Sequence, residues 1–280
     1  MLKKFALTGY PLGHSLSAAI HKAGFESLGI QAEYDLLETP PETLVERIKT
    51  LKRENYGGFN VTIPLKLPVV LFVDEIDRRA GITGAVNTVT INPDKTMKGY
   101  NTDVIGFKKA VPNTADLIGK KVGILGTGGA ARAAVTALGE CNVKQIIFYT
   151  RNIPNSLELL NYLRKTFPNI DFSTHQIETI RDLSDLTMLV NATPIGMLGV
   201  SADMTPVELP VLKTMSQDAI VYDVIYNPKK TVLLKNAESL GLKTINGLDM
   251  LIYQAVGAQE IWFNRTPDFK AMKLAALESL

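Results

Sequence analysis

The sequence predicts an α/β protein of two domains, and three observations lead to that class. Over the first hundred residues, strand-like apolar runs alternate with helix-like patterns, which is typical of a mainly parallel sheet covered on both faces. A glycine-rich turn at 126–130 then separates a short apolar run from an alanine-rich segment, and the alternation resumes after it. Finally, 280 residues suffice for two domains, each with its own core.

The elements of the first domain follow from this alternation. Strands are predicted at 5–8, 33–37 and 57–61, and helices at 17–28 and 42–53. Segments 87–91 and 97–100 flank the polar turn 93–95, so they predict a hairpin. Asn101, Thr102 and Asp103 predict the cap of a helix running to about Ala110, because their side chains accept hydrogen bonds from free helix N–H groups.

Residues 121–132 carry the strongest single signal for a second domain. Gly126 permits a tight turn, Gly128 allows the backbone to approach a pyrophosphate, and the small Ala131 lets the following helix pack close to the strand. Unpaired N–H groups at the start of that helix face the phosphates. The segment therefore predicts a dinucleotide site.

The rest of the second domain repeats the pattern. Strands are predicted at 122–125, 145–149, 187–190 and 219–224, and helices at 130–138 and 157–167, which gives a doubly wound, Rossmann-like domain. The polar segment 112–119 predicts the join between the domains. A long helix from Gly247, with Leu248, Leu251, Ile252 and Ala255 on one side, is expected to return to the first domain. We therefore expect a substrate-binding domain of 1–103 plus 248–280, a dinucleotide-binding domain of 104–247, and the active site in the cleft between them.

Composition narrows the function classes. A net charge of +2 gives no reason to expect nucleic acid or an anionic membrane as a partner. The apolar start of the chain breaks at Thr8, which is too early for a signal peptide, so we expect a cytoplasmic protein. We expect it to be either a monomer or a homodimer. Cys141 is the single cysteine, which excludes an intrachain disulfide. His14, His21 and His175 lack ligand spacing, so no metal is expected.

Polar residues cluster where predicted strands meet loops. They lie at 14–17, 60–66, 87–88 and 101–103, and strand ends line the ligand crevice of an open α/β sheet. Hydroxyls, amides, a lysine and a carboxylate together would suit a small polyhydroxylated acid. Each residue also has a structural alternative: Ser17 and Asp103 as helix caps, Asn60 and Asn87 as turn residues, and Lys66 as a surface lysine.

Taken together, the motifs closely resemble the shikimate dehydrogenase family. That family carries Ser-x-Ser, Phe-Asn-Val-Thr-x-Pro-x-Lys, Gly-Ala-x-Asn-Thr, Gly-x-Asn-Thr-Asp, Gly-x-Gly-Gly-Ala, Asn-Ala-Thr-Pro-x-Gly-Met and Met-Leu-x-x-Gln-Ala. Here they stand, in the same order, at 15–17, 59–66, 84–88, 99–103, 126–130, 191–197 and 250–255.

The resemblance implies reversible reduction of 3-dehydroshikimate to shikimate with NADPH, in the pathway to chorismate and the aromatic amino acids. It makes Lys66 and Asp103 the catalytic pair. The substrate-binding residues that it implies are Ser15, Ser17, Asn60, Thr62, Lys66, Asn87, Asp103, Tyr226 and Gln254. A positioned acid or base is needed because the reacting oxygen gains or loses a proton as hydride moves.

The resemblance also implies the cofactor site, with one departure from the family pattern. The implied residues are Gly126, Thr127, Gly128, Gly129, Ala130, Thr150, Arg151, Asn152, Thr193, Val224 and Gly247. Members usually have a second basic residue shortly after Arg151 to hold the 2′-phosphate, and this chain has none at 152–155. No Asp or Glu stands at 150–155 to hold a ribose hydroxyl either, so NADP remains the expected cofactor.

Two alternatives stay open. A dual quinate/shikimate dehydrogenase would share the scaffold and differ in how its pocket treats one extra ring hydroxyl. A non-catalytic NADP-sensing regulator would use the glycine turn without chemistry, but the Lys66 and Asp103 pair argues against it.

Overall fold

The computed structural model describes residues 2–13 and 15–280, apart from the side chain of Asn155. His14, part of the first polar segment, lies outside the described residues. The chain divides into two compact units. Unit 1 contains the residues up to Gly106 together with Ile252–Leu280, and unit 2 is Phe107–Leu251. The polar segment 112–119 lies inside unit 2 and contains a short 3-10 turn, Thr114–Leu117.

The first part of unit 1 alternates strands and helices as the sequence predicts. In chain order its elements are β1 Lys3–Gly9, α1 Ser17–Ser27, β2 Ala32–Glu38, α2 Leu44–Arg53, β3 Gly58–Val61, β4 Glu75–Ile76, α3 Arg78–Thr83, β5 Thr88–Ile91, β6 Met97–Tyr100 and α4 Asp103–Ala110. The described residues form a six-stranded sheet in the order β2-β1-β3-β5-β6-β4.

The sheet of unit 1 is mixed. The pairs β1–β2, β1–β3 and β4–β6 are parallel, whereas β5 runs antiparallel to both β3 and β6. The amino end of β5 therefore lies at the same edge as the carboxyl ends of β1, β3 and β6. This geometry brings together polar residues that are far apart in sequence.

Unit 2 begins within α4 and continues as a doubly wound domain. Its elements are β7 Lys121–Leu125, α5 Gly129–Gly139, β8 Gln145–Thr150, α6 Ile153–Thr166, β9 Asp171–Gln176, β10 Met188–Asn191, α7 Leu209–Leu212, β11 Ile220–Asp223, α8 Val232–Ser239 and β12 Lys243–Ile245. Its described strands form a six-stranded, wholly parallel sheet in the order β12-β11-β10-β7-β8-β9. The strand order reverses between β7 and β10, which is where such sheets bind ligands.

Two helices complete the chain, α9 Leu248–Phe263 and α10 Phe269–Glu278. The division between the units falls within α9, whose later part belongs to unit 1. There the Trp262 ring stacks on Phe5 of β1, with centroids 4.4 Å apart, and its Nε1 donates to the backbone oxygen of Val89 at 3.1 Å. These contacts attach α9 to one face of the unit 1 sheet.

Apolar packing holds the helices on the sheets. In unit 1, Leu44, Ile48 and Leu51 of α2 bury against the face that carries Phe59 and Val61. A second core in unit 2 lies beneath α7 and α8. The α/β fold class that the sequence predicts, with a Rossmann-like second unit, is confirmed.

Candidate active site

Lys66 and Asp103 form an ion pair at the sheet edge of unit 1. Lys66 follows β3, Asp103 begins α4, and Lys66 Nζ lies 2.6 Å from Asp103 Oδ2. The Asp103 side chain is 9% exposed and that of Lys66 is 20% exposed, so the pair is largely removed from water while the ammonium stays reachable. Lys66 is therefore not an ordinary surface lysine.

Asn87 holds the other oxygen of the same carboxylate. Its Nδ2 donates to Asp103 Oδ1 at 2.8 Å, and its Oδ1 accepts from the backbone N–H of Thr102 at 2.7 Å. The Thr88 and Thr102 hydroxyls, 3.0 Å apart, both lie 3.1 Å from that Oδ1. The amide is thus fixed with its nitrogen toward the carboxylate, and Asn87 is not merely a turn residue.

Asn60 lies in a strand and not in a turn, and it contacts residues 87 and 88. It is in β3 opposite Thr88 of β5, and it is 4% exposed. Its Nδ2 donates to Thr88 Oγ1 at 2.9 Å and to the backbone oxygen of Asn87 at 3.2 Å. Its Oδ1 accepts from the Tyr34 hydroxyl at 2.8 Å. Both amide hydrogens are therefore already donated within the protein.

The serines lie at the start of α1. The N-cap position is Leu16, which makes no side-chain cap hydrogen bond, and Ser17 is the first helical residue, so Ser17 is not the cap. Ser15 Oγ accepts from the Ser17 backbone N–H at 3.3 Å. Ser17 is buried and Ser15 is half-buried. Two hydroxyls at a helix N-terminus suit an anionic group, because the helix dipole favours negative charge there.

Thr62 and Gln254 are the other predicted substrate ligands of unit 1. Thr62 directly follows β3, and its backbone N–H donates to Thr8 at the end of β1 at 2.8 Å. Gln254 lies on α9 and is largely buried.

In unit 2 the glycine-rich turn follows β7 as predicted. Gly126 has φ +93°, a conformation that favours glycine, and its N–H donates to the backbone oxygen of Tyr149 at 2.8 Å. Gly128 is the N-cap of α5, and a Cβ added there would meet nothing within 4 Å. Thr127, Gly129 and Ala130 complete the turn and the first residues of the helix. An open, side-chain-free helix N-terminus is a suitable cradle for a pyrophosphate.

The loop after β10 also lies at the point where the strand order of the unit 2 sheet reverses. The backbone N–H of Ala192 donates to Leu125 at the end of β7 at 3.0 Å, so the loop lies beside the glycine turn. Asn191 Oδ1 accepts from the backbone N–H of Thr193 at 3.0 Å and from its hydroxyl at 2.7 Å. Thr193 thus lies where the parallel strands end.

A buried carboxylate, Asp223, ties this loop to the next strand end. Oδ1 accepts from Asn191 Nδ2 and from the Ile225 backbone N–H, each at 3.1 Å, and Oδ2 accepts from the Thr231 hydroxyl at 2.7 Å. Burial raises the pKa of Asp223 to about 6, although these hydrogen bonds oppose the rise. Asp223 therefore connects the loops after β10 and β11 with the N-cap of α8.

The remaining predicted residues of unit 2 surround these loops. Gly247 approaches the chain so closely that an added Cβ would lie 1.9 Å from the backbone oxygen of Val224. Burial raises the pKa of the Tyr226 hydroxyl. Thr150 ends β8, and its Oγ1 accepts from the Asn152 backbone N–H at 3.2 Å, which closes a turn that leaves the Arg151 side chain exposed.

Among the described residues, no group of three or more His, Cys, Asp or Glu side chains is arranged to hold a metal ion. No described helix has the length and apolar character needed to span a membrane.

Comparison with known proteins identifies the family. The shikimate dehydrogenase substrate-binding domain matches residues 7–89, and the shikimate 5'-dehydrogenase C-terminal domain matches residues 247–277. The NADP(+) shikimate dehydrogenase of Halothermothrix orenii is 38% identical over 94% of this chain and 91% of its own length. The chain belongs to the shikimate dehydrogenase family. This confirms the resemblance that the motifs indicate.

Solved structures agree with this membership in the shikimate dehydrogenase family. A shikimate dehydrogenase in complex with NADP+ superposes with a TM-score of 0.90 at 36% identity, covering 99% of this chain and 95% of that one. A Listeria monocytogenes shikimate 5-dehydrogenase in complex with shikimate and NAD gives 0.88 at 30% identity, covering 98% and 96%. A 5-ketofructose reductase from Gluconobacter gives 0.89 at 29% identity, covering 100% and 99%, so the same scaffold serves other substrates.

Sequence reasoning missed three residues that organise the site. Tyr34 lies in the middle of β2, and no motif marks it. Thr88 follows Asn87 in the family motif, but its hydroxyl has a partner, Asn60, that only the sheet pairing reveals. Asp223 lies within the strand predicted at 219–224, and an aspartate at the end of an apolar run is the signal that could have indicated its role.

Proposed function

We propose that this chain catalyses the reversible, NADPH-dependent reduction of 3-dehydroshikimate to shikimate. The observation that carries the proposal is the largely buried Lys66–Asp103–Asn87 group, which lies at the sheet edge of unit 1 within family motifs. Full-length similarity to enzymes named NADP(+) shikimate dehydrogenase supports the substrate and the cofactor.

Lys66 would move the proton. An ammonium carries three hydrogens, so Lys66 can donate one to Asp103 and still present another to the substrate oxygen. In ketone reduction the oxygen becomes negative as hydride arrives, and protonation by Lys66 completes the alcohol. In the oxidative direction the neutral amine accepts that proton. Asp103 keeps Nζ in position, and Asn87 keeps Asp103 in position.

The other polar groups of unit 1 would orient the ring. Ser15 and Ser17, at the N-terminus of α1, suit the substrate carboxylate. The second Nδ2 hydrogen of Asn87, together with Thr62 and Gln254, suits the ring hydroxyls. We assign Tyr226 to the substrate as well, as the family pattern implies.

The nucleotide would bind to unit 2. When bound, NADPH supplies the hydride. The open Gly128 position and the free start of α5 suit its pyrophosphate, and Thr193, Val224 and Gly247 suit the nicotinamide end. Arg151, exposed beside Thr150 and Asn152, suits the 2′-phosphate, because a guanidinium binds phosphate by paired charge-assisted hydrogen bonds. We also propose that the enzyme works in the cytoplasm, as a monomer or homodimer.

A substrate panel tests the proposal. Purified protein would be assayed for NADP+ reduction with shikimate and with quinate, for NAD+ reduction with each, and for NADPH oxidation with 5-ketofructose. We expect the highest kcat/KM with shikimate and NADP+. Faster turnover of quinate would favour the dual quinate/shikimate alternative. NADP binding without turnover on any substrate would favour the regulator and refute the proposal.

A further inference from the structure

Two buried polar side chains of unit 2, Asn191 and Asp223, support the loops of the proposed nicotinamide end. Asn191 ends β10 and Asp223 ends β11, and the register of these neighbouring parallel strands pairs the two residues directly. Asn191 Nδ2 donates to Asp223 Oδ1 at 3.1 Å. Both residues are 0% exposed. Neither side chain is therefore open to direct contact with a nucleotide, and any effect on binding must pass through the loops.

The Asn191 side chain fixes the loop after β10. Its Oδ1 accepts from the Thr193 backbone N–H at 3.0 Å and from the Thr193 hydroxyl at 2.7 Å. Its Nδ2 also donates to the backbone oxygen of Ile195 at 3.2 Å, and the Ile195 N–H donates to the Thr193 hydroxyl at 3.2 Å. The single hydrogen of that hydroxyl is thus donated within the loop. Asn191 sets the position of Thr193, which has no hydroxyl hydrogen left for a nucleotide.

Asp223 fixes the loop after β11 in the same way. Its Oδ1 accepts from the Ile225 backbone N–H at 3.1 Å, and the Ile225 backbone oxygen accepts from the Gly247 N–H at 3.0 Å. Val224, between Asp223 and Ile225, donates from its N–H to the backbone oxygen of Asn191 at 3.1 Å. An added Cβ at Gly247 would lie 1.9 Å from the Val224 oxygen, so these segments have little freedom to shift. Val224 and Gly247 therefore depend on the same buried pair.

The strand order assigns these loops to one half of the nucleotide. A dinucleotide bound where the strand order reverses lies across strand ends on both sides of that point. Arg151 follows β8, and its proposed contact with the 2′-phosphate assigns the adenosine half to the β8 side of β7. β10 and β11 lie on the other side of β7. The loops that Asn191 and Asp223 support should therefore contact the nicotinamide half.

We infer that Asn191 and Asp223 are positioning residues, which set the loops after β10 and β11 for the nicotinamide ring. Hydride transfer depends on such placement, because a displacement of about 1 Å can lower a rate about 100-fold. These roles rest on the NADP binding of the proposed function, since the loops form its nicotinamide end.

Thr231→Val is a matched control at the same carboxylate. The Thr231 hydroxyl donates to Asp223 Oδ2 at 2.7 Å and, at the N-cap of α8, accepts from the Leu234 N–H at 3.3 Å. Valine has nearly the shape of threonine and removes both bonds, while both bonds to Asp223 Oδ1 remain. This variant should lose melting temperature without displacing either loop.

Binding is measured without shikimate, by titrating parent and variants with NADPH and, separately, with adenosine 2′,5′-bisphosphate, which carries only the adenosine half. For Asp223→Ala we expect NADPH to bind about 3- to 10-fold more weakly, the usual worth of one hydrogen bond, with unchanged affinity for the bisphosphate. Asp223→Asn keeps an oxygen for both Oδ1 bonds and should bind NADPH within about twofold of the parent. Thr231→Val should bind both compounds as the parent does. In assays with shikimate, Asp223→Ala should lose more in kcat than it changes in KM for shikimate.

Asn191→Ala gives an independent test if Asp223→Ala does not fold, because it releases Thr193 and should weaken NADPH binding to a similar extent. Three results would each contradict the inference and leave the proposed function standing: unchanged NADPH affinity in Asp223→Ala, equal weakening of NADPH and the bisphosphate, or the same NADPH affinity in Asp223→Ala and Thr231→Val. If the expected binding differences appear but the parent does not oxidise shikimate, the proposed reaction is wrong and the positioning roles stand.

Discussion

Replacing Asp223 by Asn should change how the stability of this protein depends on pH. The substitution is nearly isosteric, keeps two of the existing hydrogen bonds and reverses the third. The asparagine oxygen can accept from Asn191 and Ile225 as Oδ1 does now, and the new amide nitrogen would donate to the Thr231 hydroxyl, which donates to Oδ2 in the parent. The variant should therefore fold, and the main change is the loss of a titrating carboxyl.

The magnitude follows from the raised pKa. Burial moves the pKa of Asp223 from 3.8 to about 6, and such a difference corresponds to about 3 kcal/mol of folding free energy. Because the folded protein binds this proton more tightly than the unfolded chain, the stabilising contribution is complete below pH 3.8. It is lost as the pH rises through about 6, where the buried carboxylate must ionise.

The assay is urea unfolding of parent and variant at several pH values between about 4 and 8. The unfolding free energy of Asp223→Asn, relative to the parent, should rise across this range by up to about 3 kcal/mol. Asp203→Asn, at an exposed position, is the control and should follow the parent at every pH. If the unfolding free energies of Asp223→Asn and the parent changed in parallel with pH, burial would not raise the pKa of Asp223 as stated.

Three further variants test the predicted binding residues. Arg151→Ala should lower kcat/KM for NADP+ about 10- to 150-fold and leave NAD+ almost unaffected, and equal losses with both cofactors would contradict its role as a phosphate ligand. Replacing Ser15 and Ser17 together by Ala should raise KM for shikimate about tenfold or more with a smaller change in kcat, whereas a lower melting temperature with unchanged KM would assign them to folding alone. Gly247→Ala should lower the melting temperature by about 4 °C or more and weaken NADP+ binding, because its Cβ would lie 1.9 Å from the Val224 backbone oxygen; a variant as stable as the parent would contradict the close approach.

Local patterns made much of the fold predictable. The turn at Gly126 and the strand and helix beside it follow from a few adjacent residues, and the structure has them at the predicted place. The sequence analysis does not predict strands that lack an apolar run. β9 has the sequence Asp-Phe-Ser-Thr-His-Gln, and β12 has only three residues. Both are edge strands of the unit 2 sheet, and only pairing with the neighbouring strand defines them.

The candidate site was predictable where motifs mark it and not where tertiary structure builds it. Lys66 and Asp103 stand in separate motifs that the family resemblance pairs, and their side chains lie 2.6 Å apart. Nothing near Tyr34 in sequence indicates that its hydroxyl reaches Asn60, because that contact depends on the order of strands in the sheet. Long-range hydrogen bonds of this kind carry no local signature.

Lys66 is the proton donor and acceptor of the proposed reaction, and its role is the central one. The direct measurement is kcat for shikimate oxidation by Lys66→Ala and the parent, with NADP+ affinity determined on the same preparations. We predict a kcat about 10²- to 10⁴-fold lower in the variant with nearly unchanged NADP+ affinity, which is the usual contribution of a positioned acid or base. A variant whose kcat stays within about threefold of the parent would contradict the central role of Lys66.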